Sequence, residues 1–128
     1  MKLSEYFENA KGHGVLATAD SEGKVDVAIY SRPHFIDENT IVYIMRDHLT
    51  HKNLRANPSA AYIFIEEGDK YVGKRLYLTR LKEEDDPEAI KKIQWRKTYV
   101  DPEGDRNANR FLIYFKLDRV LPLIGDKE

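Results

Sequence analysis

Ile41-Val42-Tyr43-Ile44-Met45-Arg46-Asp47-His48-Leu49-Thr50-His51-Lys52-Asn53-Leu54-Arg55-Ala56-Asn57-Pro58-Ser59-Ala60-Ala61-Tyr62-Ile63-Phe64-Ile65 is the stretch on which the fold turns. Its two ends, Ile41–Met45 and Ala61–Ile65, are continuous apolar runs rich in β-branched and aromatic residues. Such runs read as strands covered on both faces. Between them, Thr50 reads as an N-cap and Asn57-Pro58 as a stop, because proline disfavours helix at the residue before it. The pattern predicts a helix of about two turns wedged between two buried strands.

Working outward, Phe111-Leu112-Ile113-Tyr114-Phe115 is a third run apolar on both faces. In a chain this short, one side of such strands can face a barrel interior. The other side then needs a helix or a second copy of the chain. Val25, Val27 and Ile29 alternate with Asp26, Ala28 and Tyr30, a strand with two distinct faces. With Val15-Leu16-Ala17-Thr18 and the turn Asp20-Ser21-Glu22-Gly23, that strand forms a hairpin. Leu3, Phe7 and Ala10 recur at helical spacing, which predicts a helix from about Ser4 to Lys11, stopped by Gly12 and Gly14. Asp37-Glu38-Asn39 is a turn, and Gly73-Lys74-Arg75-Leu76 opens a fifth strand after Glu66-Glu67-Gly68-Asp69. Asp86-Pro87 opens a second helix carrying Ile90 and Ile93 toward Trp95 and Tyr99, and Asp101-Pro102-Glu103-Gly104-Asp105 is a loop before the last strand. No linker or repeat divides residues 1–128. The expectation is one mainly β domain, a β-barrel of about six strands with flanking helices, paired as a homodimer.

Composition narrows the function. With 21 basic and 22 acidic residues the net charge is −1, so no global field recruits nucleic acid or an anionic membrane. The chain has no cysteine, which removes disulfides, thiolate nucleophiles and cysteine-held clusters. The acidic N-terminal stretch lacks a signal-peptide pattern, and no run of about 20 apolar residues is present. A cytoplasmic protein is expected.

The short helix carries the most informative chemistry. The first amides of a helix have no partner within it and sit at the positive end of its dipole, a ready phosphate site. Thr50 offers a hydroxyl, Lys52 an ammonium and His51 a second donor, and Arg46 ends the preceding strand. On these residues alone an alternative stands beside this one, in which Thr50 only caps the helix and Lys52 is a solvated surface lysine.

The wider pattern resembles the pyridoxamine-phosphate-oxidase-like FMN-binding split-barrel family. The resemblance runs from Gly14 to about Leu81. It rests on Gly14-Val15-Leu16-Ala17-Thr18, on Gly23 before an alternating strand, and on Thr50-His51-Lys52-Asn53-Leu54-Arg55-Ala56-Asn57-Pro58. That last block is similar to the family's Ser/Thr-x-Lys and Asn-Pro signature. The resemblance implies FMN as cofactor, with Thr50, His51 and Lys52 on its phosphate. It implies that Val27, Ala28, Ile29, Tyr30 and Ser31 run alongside the isoalloxazine ring, presenting mostly backbone groups. Ile44, Met45 and Arg46 would lie beneath the ring. Pyridoxamine phosphate oxidases have arginines near Ala28 and at the place of His51, which this chain lacks. It also lacks their arginine- and histidine-rich ending, since it closes Phe115-Lys116-Leu117-Asp118-Arg119-Val120-Leu121-Pro122-Leu123-Ile124-Gly125. The resemblance therefore implies a flavin oxidoreductase or electron carrier acting on a small molecule or redox partner, and not the vitamin oxidase.

Other residues give weaker signals. Arg75 either reaches the flavin or pairs with Glu66 or Glu67 at the surface, and the surface pairing is favoured. Trp95 either covers a partner's flavin or packs on the barrel. His13, His34, His48 and His51 show no metal-ligand spacing, so no metal is expected. His34 and His48 remain candidates for haem, which would make the protein a non-enzymatic flavin- or haem-binding module on the same barrel. Tyr30, Tyr43, Tyr62 and Phe64 could stack bases, but they read as core and no nucleic acid is expected.

Overall fold

The computed structural model describes residues 2–94 and 110–127. Its elements in chain order are α1 (Leu3–Asn9), β1 (Gly12–Ala19), β2 (Val25–Ile29), β3 (His34–Asp37) and β4 (Thr40–Arg46). There follow α2 (Leu49–Ala56), β5 (Ser59–Glu66), β6 (Gly73–Glu84), α3 (Pro87–Gln94) and β7 (Arg110–Pro122). The strands form one antiparallel sheet in the order β2-β1-β5-β6-β7-β4-β3.

The sheet is rolled, and its core shows how. Phe7 of α1 packs on Phe35 of β3, with ring centroids 6.0 Å apart, and on Phe64 of β5 at 5.4 Å. Strands β3 and β5 are far apart in the sheet order, so one side chain can touch both only across an interior. Tyr30 and Tyr43 likewise meet at 5.7 Å, and Tyr43 meets Tyr62 at 5.4 Å. Leu16, Ile41, Met45, Leu54, Leu76, Ile113 and Phe115 fill the same interior. The two edge strands, β2 and β3, are consecutive in the chain, and the split in the barrel lies between them.

The second face of the apolar strands is covered in part. Val42 and Leu112 turn outward and bury against Ile90 and Ile93 of α3, with Ile44 and Tyr114 around them. Glu88 N–H donates to Asp86 Oδ1 at 3.2 Å, so the expected Asp86-Pro87 start of this helix holds. Trp95, Tyr99 and the loop 101–105 lie outside the described residues. Over β1, β2 and β5 no helix among the described residues covers the outer face. Register places Val15 between Ile29 and Ile63, and Ala17 between Val27 and Ala61. Val27 is 66% and Ile29 71% exposed. Among the described residues no helix is long and apolar enough to cross a membrane.

The mainly β architecture is as expected, with seven strands among the described residues: the short segment His34–Asp37 adds one by pairing with β4 through a bulge between Phe35 and Asp37. Two expectations need correction. Helix α1 ends at Asn9, since Gly12 and Gly14 already belong to β1. The cap of α2 is His48 in extended backbone, not Thr50, which is buried inside the first turn.

Candidate functional site

Helix α2 is seated by the very residues that make its sequence recognisable. Leu54 enters the barrel core, and Asn53 Nδ2 donates to Thr18 Oγ1 of β1 at 3.1 Å. Asn57 Nδ2 donates to the Asp20 carbonyl at 3.3 Å, and Asn57 Oδ1 accepts from the Ser59 amide at 3.0 Å. At the carboxyl end, Arg80 Nε donates to the Leu54 carbonyl at 2.8 Å, satisfying an acceptor the helix leaves over. The Asn-Pro end of the motif is therefore an anchor. It fixes where the other end of the helix points.

At that other end lies a depression of about 440 Å³ lined by Asp47, His48, Leu49, Lys52 and Arg55. The amides of Leu49, Thr50 and His51 open the helix there, and the first intrahelical bond runs from Lys52 N–H to the His48 carbonyl. Lys52 is exposed beside it. Arg55, one turn further on, was not among the residues singled out by sequence. The i, i+3 spacing from Lys52 was the available signal.

His51 and Arg46 do not reach this depression as side chains. His51 is fully buried, with Nδ1 at 3.0 Å from Asp47 Oδ1 and Nε2 at 3.1 Å from Glu83 Oε1. Its ring stacks on Phe111, centroids 4.1 Å apart and planes 20° from parallel. Only its backbone amide faces an incoming anion. Arg46 lies on the outer face of β4 with Val42 and Ile44, opposite Arg110 of β7. The alternation that sends Met45 into the core turns Arg46 the other way. Ile44 and Met45 are thus on opposite faces of β4, and no single surface carries both.

Electrostatics tie the floor of the site together. Arg55 donates to Glu83 through both Nε, at 3.2 Å, and Nη2, at 2.9 Å. These bonds, with those from His51, hold the Glu83 carboxyl below the usual carboxylate range despite partial burial, and raise Arg55 above its ordinary value. The Arg55 guanidinium also sits 5.5 Å over the Phe111 ring.

The second half of the expected site is β2. Tyr30 N–H donates to the Gly14 carbonyl at 3.0 Å. In an antiparallel pair, that bond sets the alternation by which Val27 and Ile29 turn their N–H and C=O groups to the free edge. Ala28 and Tyr30 face inward, half-buried. Tyr62 Oη donates to the Ser31 carbonyl at 3.0 Å, fixing the strand's exit. Arg75 contacts neither this strand nor the acidic turn. It donates to the carbonyls of Pro122, at 2.9 Å, and Gly125, pinning the C-terminal segment.

No protein-family model matches the sequence, and no curated protein matches it. Solved structures do match. An FMN-binding protein from Syntrophomonas wolfei superposes with a TM-score of 0.80 at 19% identity, over 98% of this chain and 86% of that one. The chain has the split-barrel fold. An F420 reductase matches with a TM-score of 0.71 at 18% identity, over 94% of this chain and 98% of that one. A proposed pyridoxamine 5′-phosphate oxidase from Lactobacillus delbrueckii matches at 0.66 and 18% identity, over 94% and 93% of the two chains. The split barrel of this chain thus agrees with the resemblance drawn from residues 14–81, and such barrels include an FMN-binding protein and an F420 reductase.

Proposed function

We propose that the protein binds FMN and works as a flavin-dependent oxidoreductase or electron carrier. The observation that carries this reading is the depression at the start of α2, where Lys52, Arg55 and the first helix amides converge. Those groups suit a phosphate monoester: two cations, free N–H donors and the positive end of a helix dipole. The free edge of β2, over Val27–Ser31, suits the polar rim of a flavin ring, since it offers backbone donors and acceptors without a competing strand. Thr50 and His51 contribute through their amides, and Lys52 is the principal charge. Bound flavin would supply hydride or single-electron chemistry, and the chain's part is to hold it, orient it and set its access to solvent.

A second copy of the chain belongs to the same reading. The outer face of β2, β1 and β5 carries Val15, Ala17, Val27, Ile29, Ala61 and Ile63 in register, and such a contiguous apolar sheet face favours association. It adjoins the β2 edge, so a homodimer through it would close the ring site from outside.

Replacing Lys52 with alanine tests the phosphate assignment. The variant should bind FMN about 1.5–3 kcal/mol more weakly, the scale of a charge-assisted contact. Riboflavin, which lacks the phosphate, should bind both proteins alike. Equal FMN affinity in variant and wild type would remove Lys52 from the site.

A further inference from the structure

The groups around the depression do not add up to a basic site by themselves. Lys52 and Arg55 supply two positive charges, Asp47 lines the same depression, and Glu83 lies against Arg55. Among the described residues two cations stand against two carboxylates, with the exposed imidazole of His48 at the rim. Among the described residues, the titratable group in contact with both carboxylates is His51, wholly buried between them.

We propose that His51 sets the net charge of the anion site at the first turn of α2, and thereby its affinity for a phosphate monoester. The inference rests on the reading of that turn as a phosphate site. A carboxylate only accepts hydrogen bonds, so both His51 contacts are hydrogen bonds only when each ring nitrogen carries a proton. In that state the imidazolium bridges Asp47 and Glu83, and Lys52 with Arg55 outweigh what is left of their charge. With one proton fewer, a nitrogen lone pair faces a carboxylate and the cations are matched one for one.

The surroundings of the ring keep this arrangement in place. Asp47 approaches from the turn before α2, Glu83 from β6, and Arg55 from α2 by way of Glu83. From β7 the facing group is the uncharged Phe111 ring, stacked on the imidazole at 4.1 Å. Arg55 shares that ring, which links the orientation of the buried imidazole to the position of one of the two site cations. Among the described residues no group of three His, Asp or Glu side chains is disposed to hold a metal ion. His51 is thus a positioning and charge-setting residue that does not itself touch the ligand.

The test compares dissociation constants for FMN and riboflavin, by quenching of flavin fluorescence, in wild type, H51Q, D47N and the double variant. Measurements are made at about pH 7, where the FMN phosphate is mostly dianionic. H51Q should show a preference for FMN over riboflavin about tenfold lower than wild type, the scale of one unit charge at short range in a partly screened site. Adding D47N to H51Q should restore most of the preference, a rescue that a purely structural histidine would not give. D47N alone, at an exposed side chain, keeps the test open should H51Q fail to fold: it should raise the preference above that of wild type. A preference unmoved by D47N would overturn the inference. So would an H51Q protein that loses affinity for both flavins equally. If wild type binds FMN no more tightly than riboflavin, the phosphate reading itself falls, an outcome distinct from either.

Discussion

Gly14 and His51 show how much a single position depends on residues far along the chain. A Cβ on Gly14 would stand 1.9 Å from the Tyr62 hydroxyl, the group that donates to the Ser31 carbonyl. Gly14→Ala should lower stability by about 1–3 kcal/mol, the cost of overpacking a close-packed interior. The loss should appear as a lower denaturant midpoint at unchanged slope. Because Tyr62 would be displaced from Ser31, FMN affinity should fall as well. An unchanged midpoint would mean that Tyr62 is free to move aside. In the sequence, Gly14 reads as a helix stop, and its real constraint is invisible because Tyr62 is distant. His51 is similar. Beside Lys52 it reads as a phosphate donor, and only the fold brings Glu83 and Phe111 to its ring. That Lys52 is an exposed charge in the first turn of a helix was legible, because that placement needs no distant partner to define it.

Helix α2 is held by bonds at both ends, and its tie to β6 through Glu83 has a pH signature. The Glu83 carboxyl is held below its usual range, first by Arg55 and then by His51. A carboxylate lowered in this way contributes stability that is fully present above the ordinary glutamate value of about 4.3. That stability is lost as pH falls through the lowered folded value. Thermal unfolding followed from neutral pH to about pH 3 should therefore show a smaller acid-side loss for Glu83→Gln than for wild type, with the variant less stable at neutral pH. Parallel curves would show that Arg55 and His51 do not stabilise the charged carboxyl. At this scale the strands were largely legible. Runs such as Ile41–Met45 and Phe111–Phe115 are apolar on both faces, which no solvated loop would be. Strand β3 was not legible, because it is four residues long, follows Arg32-Pro33 and alternates poorly. The cap of α2 was displaced from Thr50 to His48 for a packing reason: the helix begins early enough to bury Thr50 and His51 beneath it.

Among the described residues the rolled sheet has one outer face under α3 and another without a covering helix, and the second predicts association. Val27→Asp would place a charge in the middle of the apolar face formed with Ala17 and Ala61. The wild-type protein should sediment as a dimer and the variant as a folded monomer with weaker flavin retention. A monomeric wild type would assign that face another role. The barrel and the need for cover on its outer side were readable from doubly apolar strands. Which strands α3 would cover was not, because that depends on where β7 returns beside β4. The account as a whole stands on a flavin held by its phosphate at α2, and the visible absorbance spectrum tests this most directly. Purified protein would be mixed with FMN, freed of excess by gel filtration and scanned, with riboflavin treated in parallel. The account predicts the paired bands of oxidised flavin after FMN and much weaker bands after riboflavin. A protein that leaves the column colourless in both cases, or one that instead carries a sharp haem band, would contradict it.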